Sequence, residues 1–387
     1  MKKLTIMLLF IIMMMSIGSV VVFADEIFVE DYVEAELVIE RAKVLDVEVL
    51  DEDTLENDFF EENLLVTLEL LTGEYKGQQF QVIHSLTGSF GYDILVNPGD
   101  KVLVTVEDFG EGAVEVYISE YLRDIYVYWV FAIFVALLIL LGGFKGVKTV
   151  VTLALTILLI LKLLLPGLLA GYNPILLTIL VSFIITLVTI IVVGGANTKS
   201  YAAIIGVLGG VFVAGIIAYV IGSKVRLTGL SSQEAMMLMY IPQGVNFDFR
   251  GLLFAGIIMG ALGAVMDVGM SIASSMEEIK NANPNISTKA LVMSGMNVGK
   301  DVMGTMANTL ILAYTGSAIP LLLLFTAYQD PLVKIINLDI IATEIVRAFT
   351  GSIGLILCIP LTAITAGLLK DKFDKKKNTD EDHKALK

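Results

Sequence analysis

Long apolar runs recur through the second two thirds of the chain and are separated by short polar segments. A transmembrane helix needs about 20 mainly apolar residues to cross a hydrocarbon core about 30 Å thick. Most of these runs reach that length, and the second is shorter. We therefore predict a polytopic α-helical membrane protein with seven spans, at residues 125–143, 149–166, 174–194, 201–222, 251–273, 303–327 and 341–369.

The apolar pattern is different over residues 25–122, where short runs rich in Val and Ile alternate in part with polar residues. The runs are residues 35–50, 63–73, 78–86, 100–109 and 113–122. Turn-forming groups such as Asn97-Pro98-Gly99 separate these runs. Alternation with regular turn signals is typical of β-strands. We predict a small all-β domain here and favour an OB-like barrel over a sandwich. The acidic run at residues 51–62 is interpreted as a solvated loop.

The N-terminus has the parts of a secretory signal peptide: Lys2 and Lys3, an apolar stretch, and the small residue Ala24 before an acidic segment. This order is typical of a cleaved signal, although the apolar stretch is also long enough for an uncleaved anchor. The predicted organisation is a signal peptide at 1–24, a β domain at 25–122, a transmembrane domain at 123–370 and a tail at 371–387.

Composition supports the membrane assignment and excludes several other classes. The chain is 56% hydrophobic, with a mean hydropathy of +0.82. Residues 25–124 carry 26 acidic against 5 basic residues, so the net charge of −14 comes from this region. Without a basic stripe, nucleic-acid binding is not expected. With Cys358 the only cysteine, and only His84 and His383 as histidines, we expect no disulfide, no metal site in the spans and no cofactor.

The distribution of lysine and arginine predicts the orientation in the membrane. Cytoplasmic loops carry an excess of these residues. With the β domain outside, the basic residues of the inner segments are Lys145, Lys148, Lys199, Lys280, Lys289, Lys300 and those of the tail. The outer loops hold Lys224, Arg226, Arg250 and Lys334. We therefore predict a membrane protein with an extracytoplasmic β domain and a cytoplasmic C-terminus.

A polar stripe in the fifth span is the main candidate site. Its members recur at helical spacing on one face: Gly256, Gly260, Gly263, Asp267, Ser271 and Ser274. A charged residue at mid-bilayer costs about 2.5–3.5 kcal/mol on insertion scales. Asp267 is therefore expected to point into the helix bundle, toward protein or water. Gly256, Gly260 and Gly263 are expected to let a neighbouring helix approach closely.

The sixth and seventh spans supply further polar candidates. Those in the sixth are Lys300, Asp301, Thr305 and Asn308, with Gly304 beside them as a fourth helix-packing glycine. Gly316 and Pro320 are expected to weaken the outer half of this span. In the seventh span, Glu344 and Arg347 are three residues apart and are expected to pair, either as a boundary ion pair or as part of a transport gate.

Three functional interpretations remain open from the residues. The favoured one is a transporter or permease for a small solute or ion, with Asp267 as a proton- or cation-linked carboxylate. The alternative is a membrane scaffold or sensor whose β domain binds a partner or envelope ligand. An intramembrane enzyme is not expected, because Asp267 and Asp301 lack the motif context of aspartyl proteases. Expected partners are the lipid bilayer, a small solute or ion, and a partner membrane protein or second copy.

The same segments carry a family resemblance. The sequences GLLFAGIIMGALGAVMDVGMSIASSMEEI and SGMNVGKDVMGTMANTLILAYTGSAIPLLLL, at residues 251–279 and 294–324, resemble the signature region of the YibE/F-like family of bacterial membrane proteins. Lys300 stands where many relatives are expected to have arginine. The resemblance implies a multi-pass plasma-membrane protein of Gram-positive type, and it supplies no substrate.

Overall fold

The computed structural model describes residues 36–50, 62–89, 91–109, 113–241 and 244–385. The predicted signal peptide and nearly all of the acidic run at 51–62 lie outside these residues. The described chain divides into two compact units, with the boundary between Leu137 and Leu138. The first unit contains the β-strands, and the second contains most of the helices.

The first unit is built on one antiparallel sheet. Its strands are β1 (Glu36–Leu50), β2 (Glu62–Leu70), β3 (Gln79–Leu86), β4 (Lys101–Asp108) and β5 (Val114–Tyr121). They lie in the order β3-β2-β1-β4-β5, so the long β1 pairs with both β2 and β4. Each predicted strand is confirmed to within a few residues.

Alternating side chains explain why these segments form a curved sheet with one buried face. Along β2 and β4, every second residue is buried, as in Val66, Leu68, Val102 and Val104. Successive side chains of a strand point to opposite faces, so one face carries the core. A bulge in β1 between Val44 and Asp46 bends the strand. With β3 and β5 as its edges, the described sheet is a β half-barrel.

The helices of the remaining chain begin at Asp124. They are α1 (Asp124–Leu159), α2 (Leu165–Leu169), α3 (Pro174–Gly194), α4 (Thr198–Lys224), α5 (Gln233–Met237), α6 (Phe249–Ala282), α7 (Thr288–Ser317), α8 (Ile319–Ala327), α9 (Leu332–Ile336) and α10 (Asp339–Ala385). A π-helical turn, Ile160–Leu164, joins α1 to α2. Asparagine or serine side chains cap several of these helices, as Asn197 does for α4.

Five helical runs in the described part of the chain are long and apolar enough to cross a membrane. They are Asp124–Leu169, Pro174–Gly194, Thr198–Lys224, Phe249–Ala282 and Asp339–Leu369. Helices α7 and α8 together form a sixth candidate, bent by 62°. The first two predicted spans fall within the single run Asp124–Leu169, which is interrupted at Gly143, where φ is 54° and ψ is −132°. The structure therefore supports the membrane assignment without confirming seven spans.

The packed centre of the second unit is the crossing of α4 and α10. A Cβ atom added to Gly210 would lie 2.6 Å from the Gly354 carbonyl oxygen, and one added to Gly354 would lie 2.8 Å from the Gly210 carbonyl oxygen. A Cβ atom added to Gly206 would overlap the Thr362 hydroxyl and lie 2.9 Å from Thr362 Cα. The two backbones therefore touch at these glycines, as small residues permit in membrane helices. This contact was not predictable from the spacing of residues within either helix.

We expect Gly210→Ala to destabilise the protein strongly. The added methyl would clash with backbone atoms, and overpacking of this kind costs typically about 1–3 kcal/mol. Gly304→Ala is the matched control, because a Cβ atom there would have no neighbouring atom within 4 Å. Thermal unfolding in detergent should show a lower midpoint for Gly210→Ala and an equal or higher midpoint for Gly304→Ala. Equal midpoints would contradict the backbone contact.

Candidate functional site

The predicted stripe of α6 lies on a single face, and that face is turned away from the packed core. Gly256, Gly260, Gly263, Asp267 and Ser271 are all exposed, and Ser274 is half-buried. The opposite face of α6 supplies the core contacts, through residues such as Val265, Val268 and Ile272. The expectation that Asp267 points into the bundle was therefore wrong. Among the described residues, Asp267 has no hydrogen-bond or ion-pair partner.

The helix-packing role predicted for four glycines is also largely wrong. An added Cβ atom would have no neighbouring atom within 4 Å at Gly256, Gly263 or Gly304. Gly260 is different, because a Cβ atom there would lie 2.7 Å from the Tyr314 hydroxyl of α7. The physical reason is that helical spacing shows which residues share a face of a helix, but not which face contacts a neighbouring helix. These glycines leave open space along the stripe.

Helices α6 and α7 run antiparallel, and their contacts fix the level of Asp267. Gly295 lies against Met276 and Gly299 against Ile272, whereas Gly260 lies against Tyr314 near the other end. Interpolation between these contacts places Asp267 about level with Thr305, since both helices rise about 1.5 Å per residue. The polar candidates of the two helices therefore lie at about the same level of the bundle.

The α7 candidates also lie on an exposed face. Lys300, Asp301, Thr305 and Asn308 are all exposed. The Thr305 hydroxyl donates to the Val302 carbonyl oxygen at 2.9 Å, within its own helix. No ion pair joins Asp267 to Lys300 in the described structure. The structure thus brings these polar groups to a common level without joining them directly.

The predicted pair of Glu344 and Arg347 is confirmed. Arg347 Nη1 donates to Glu344 Oε1 at 2.7 Å, and the side chains are 30% and 24% exposed for Arg347 and Glu344, respectively. The Arg347 guanidinium also lies 6.0 Å from the centre of the Tyr314 ring. The second carboxylate oxygen of Glu344, Oε2, is buried and has no hydrogen-bond partner among the described residues.

A cavity of about 230 Å³ lies beside this pair, and we call it the Glu344 cavity. Its wall is formed by Ile311, Tyr314, Thr315, Ala318, Leu322, Ile341, Glu344, Ile345, Ala348 and Phe349. Ala318 is the residue between α7 and α8, where the helix pair bends by 62°. The predicted weakening by Gly316 and Pro320 is therefore confirmed as a break, and the break lines the cavity.

Tyr314 connects the Glu344 cavity to the α6 stripe. Its hydroxyl lies over Gly260, Tyr314 is part of the cavity wall, and the Arg347 guanidinium lies over its ring. Asp267 lies seven residues further along α6, a distance of about 10 Å along the helix axis. The exposed residues of α6 between Gly260 and Asp267 are small, so no large side chain covers the helix surface between Tyr314 and Asp267.

A second ion pair lies at the opposite end of the bundle. Lys199 Nζ, in the first turn of α4, is 2.5 Å from Glu277 Oε2 near the end of α6. A cavity of about 130 Å³ adjoins the pair, and Met276 and Lys280 contribute to its wall. Lys199 is among the residues predicted for the inner segments, whereas Glu277 is not among the predicted residues. A glutamate one turn before the basic end of a long apolar helix is the feature of the sequence that could have indicated an ion pair at this end.

The described residues contain no group of three or more His, Cys, Asp or Glu side chains suited to holding a metal ion. The structure combines charged and polar groups within apolar helices, a broken helix and a cavity beside an ion pair. Such features, together with the apolar spans, define the chain as a multi-helix membrane protein with a separate β unit.

Comparison with known families agrees with this class. Residues 130–372 match the family described as YibE/F-like protein, and residues 38–121 match the YibE/F family N-terminal domain. The chain belongs to the YibE/F family, as the resemblance of the α6 and α7 segments implied. No curated protein and no solved structure matches the chain.

Proposed function

We propose that the protein is a transporter or permease for a small solute or ion. Its polar pathway runs from the Glu344 cavity, past Tyr314 and Gly260, to Asp267 on the exposed face of α6. Asp267 acts as the proton- or cation-linked carboxylate of this pathway. Intramembrane ionisable groups commonly mark ion and substrate pathways.

The observation that carries the proposal is the helix break at Ala318 in the wall of the cavity. Broken backbone at membrane depth leaves peptide groups unpaired, so it occurs where protein buries it or where it lines a water-filled cavity. Discontinuous helices beside a polar site are also typical of secondary transporters. Tight packing alone does not require a broken helix, a charged pair and a cavity in one place.

The exposed position of Asp267 supports a pathway over a purely structural carboxylate. A structural role would require hydrogen-bond partners on another helix, and Asp267 has none among the described residues. Exposure to lipid would cost about 2.5–3.5 kcal/mol on insertion scales. A water-lined groove along Gly263, Asp267 and Ser271 would solvate the carboxylate. It would then need neither a hydrogen-bond partner on another helix nor exposure to lipid.

The proposed topology places the β unit outside and the C-terminus in the cytoplasm. The chain turn at Gly143 then separates two crossings, which gives seven spans in total. The excess of lysine on the predicted inner segments supports this orientation. In this arrangement the Glu344 cavity opens toward the outer side, and the Lys199–Glu277 pair lies at the cytoplasmic side.

Proteoliposomes loaded with a pH-sensitive dye test the proposal. The purified full chain is reconstituted, a pH gradient is imposed, and Na⁺ or K⁺ gradients are then applied separately. We expect the protein to change the internal pH faster than protein-free liposomes under at least one gradient. Rates equal to those of protein-free liposomes under every gradient would contradict proton-linked transport.

A scaffold or sensor is the second candidate, and exposed apolar side chains on the β unit favour it. Leu37 and Ile39 lie two residues apart on β1 and so share one face of the strand, where they are 66% and 68% exposed. Adjacent exposed apolar side chains of this kind suit contact with a protein partner. In cells, deletion of residues 25–122 would then remove the protein's effect, whereas Asp267→Asn would be silent. Under the transporter proposal, Asp267→Asn would instead remove the protein's effect.

A further inference from the structure

The cavity beside the Lys199–Glu277 pair has a wall rich in hydrogen-bond donors, and we call it the Lys199 cavity. Among the described residues, the charged members of its wall are Lys199, Lys280 and Glu277. Thr198 adds a hydroxyl group and Asn281 an amide. An ammonium group has three N–H donors and no acceptor, and hydroxyl and amide groups also donate. The wall is therefore suited to an occupant that accepts hydrogen bonds and carries negative charge.

Glu277 holds Lys199 in place without using all of its donors. Lys199 Nζ lies 2.5 Å from Glu277 Oε2, and this contact occupies one of the three N–H groups. The Lys199 side chain keeps 23% of its surface exposed, so its ammonium is not sealed inside the bundle. Lys199 therefore has N–H groups left for an occupant of the cavity.

The start of α4 adds backbone donors to the same wall. Thr198 and Lys199 are the first two residues of α4, and first-turn N–H groups have no partner within their own helix. The Asn197 side chain accepts the N–H of Ser200 at 3.0 Å and leaves those of Thr198 and Lys199. A helix N-terminus also carries partial positive charge. These backbone groups supplement the two lysines, which remain the main binding groups.

The Lys199 cavity lies at the level where the helices leave the hydrocarbon core. Lys199 is in the first turn of α4, and Lys280 is in the last turn of α6. The predicted spans, 201–222 and 251–273, leave both lysines outside the apolar core. Basic pockets between transmembrane helices at this level are suited to anionic lipid headgroups. Met276 and Leu291 in the wall provide apolar surface for the less polar part of such a molecule.

We propose that the Lys199 cavity binds the phosphate group of an anionic molecule, with the phosphate oxygens on Lys199 and Lys280. Phosphate oxygens form strong charge-assisted hydrogen bonds with lysine. The cavity of about 130 Å³ is several times the volume of about 30 Å³ that one water molecule takes up in the liquid, so a phosphate group fits. The phosphate belongs either to a lipid headgroup or to a soluble molecule. The inference is independent of the proposed transport, because no residue of that pathway takes part.

Native mass spectrometry of the full chain in detergent tests the inference with three probes. Dioleoylphosphatidylglycerol is anionic, dioleoylphosphatidylcholine has the same chains without net charge, and inorganic phosphate has no lipid part. For a lipid source, we expect the phosphatidylglycerol to bind at least about 10-fold more tightly than the phosphatidylcholine. For a soluble source, we expect inorganic phosphate to bind and the two lipids to bind equally. Equal binding of the two lipids without any binding of inorganic phosphate would overturn the inference.

Variants locate the binding in this cavity. Lys280→Gln should weaken binding of the preferred probe about 10-fold, as loss of one charge-assisted hydrogen bond predicts, and Lys280→Arg should retain most of the affinity. Lys289→Gln is the matched control, because Lys289 is an exposed lysine in the first turn of α7, outside the cavity wall. It should leave the affinity unchanged.

A further variant tests the cavity without removing a charge. Ala366 is part of the wall, so Ala366→Leu narrows the cavity and keeps both lysines. It should also weaken binding of the preferred probe, and it tests the site even if Lys280→Gln folds poorly. Equal affinity in the parent, Lys280→Gln and Ala366→Leu would overturn the inference, as would an equal loss in Lys280→Gln and Lys289→Gln.

Discussion

Asp267→Asn is expected to abolish flux in proteoliposomes while leaving the amount of folded, inserted protein unchanged. Asparagine has nearly the same shape as aspartate, but it carries no charge and takes up no proton near neutral pH. Because Asp267 has no partner among the described residues, its replacement breaks no interaction. Removal of a charge also lowers the cost of placing this helix in the membrane.

Glu278→Gln is the matched control for this substitution. Glu278 is an exposed carboxylate on the same helix, α6, close to its end at Ala282. The control should retain flux, since it lies beyond the proposed pathway. Fluorescence-detected size exclusion would compare the folded fraction of both variants with that of the parent. Loss of folded protein in Asp267→Asn alone would indicate a structural carboxylate and contradict the pathway.

Arg347→Gln is expected to cause the largest loss of stability in the helical unit. It would leave the Glu344 carboxylate partly buried without its cation, and removal of one partner of a buried pair costs about 3–5 kcal/mol. Both side chains keep some solvent exposure, at 30% for Arg347 and 24% for Glu344, so we expect a value near about 3 kcal/mol. Chemical unfolding in mixed micelles would measure it.

The double variant Glu344→Gln/Arg347→Gln completes the comparison. Replacing a buried ion pair by well-packed apolar residues of similar volume is often close to neutral, and two glutamines likewise leave no unpaired charge behind. We therefore expect the double variant to recover most of the stability that Arg347→Gln loses. The two substitutions would then be strongly non-additive, as they are for residues in direct contact. Additive losses would show that the pair does not interact in the membrane.

The elements that local pattern determines were predictable from the sequence. Alternation of apolar residues located β2 and β4, and Gly316 with Pro320 indicated the break that separates α7 from α8. The spacing of Glu344 and Arg347 predicted their pair, which the structure confirms. Each of these features depends on residues that are close together in the chain.

Features that depend on distant residues were not predictable. The spacing of Gly256, Gly263 and Asp267 showed that they share a face, but not that this face points away from the core. In a soluble helix the apolar face identifies the core, whereas in a membrane both faces are apolar and this signal is lost. The contact of Gly210 with Gly354 and the Glu344 cavity arise from segments far apart in sequence.

The central claim is that the α6 stripe faces water inside the membrane, and thiol labelling measures this most directly. Cys358 is the only cysteine and is buried, so Cys358→Ala provides a background without cysteine. A charged, membrane-impermeant methanethiosulfonate should modify Gly263→Cys and Ser271→Cys in intact vesicles. It should not modify Ile205→Cys on α4, an apolar position that is 51% exposed and expected to face lipid. If Gly263→Cys and Ser271→Cys were as unreactive as Ile205→Cys, the α6 stripe would not face water, and the proposed pathway would be contradicted.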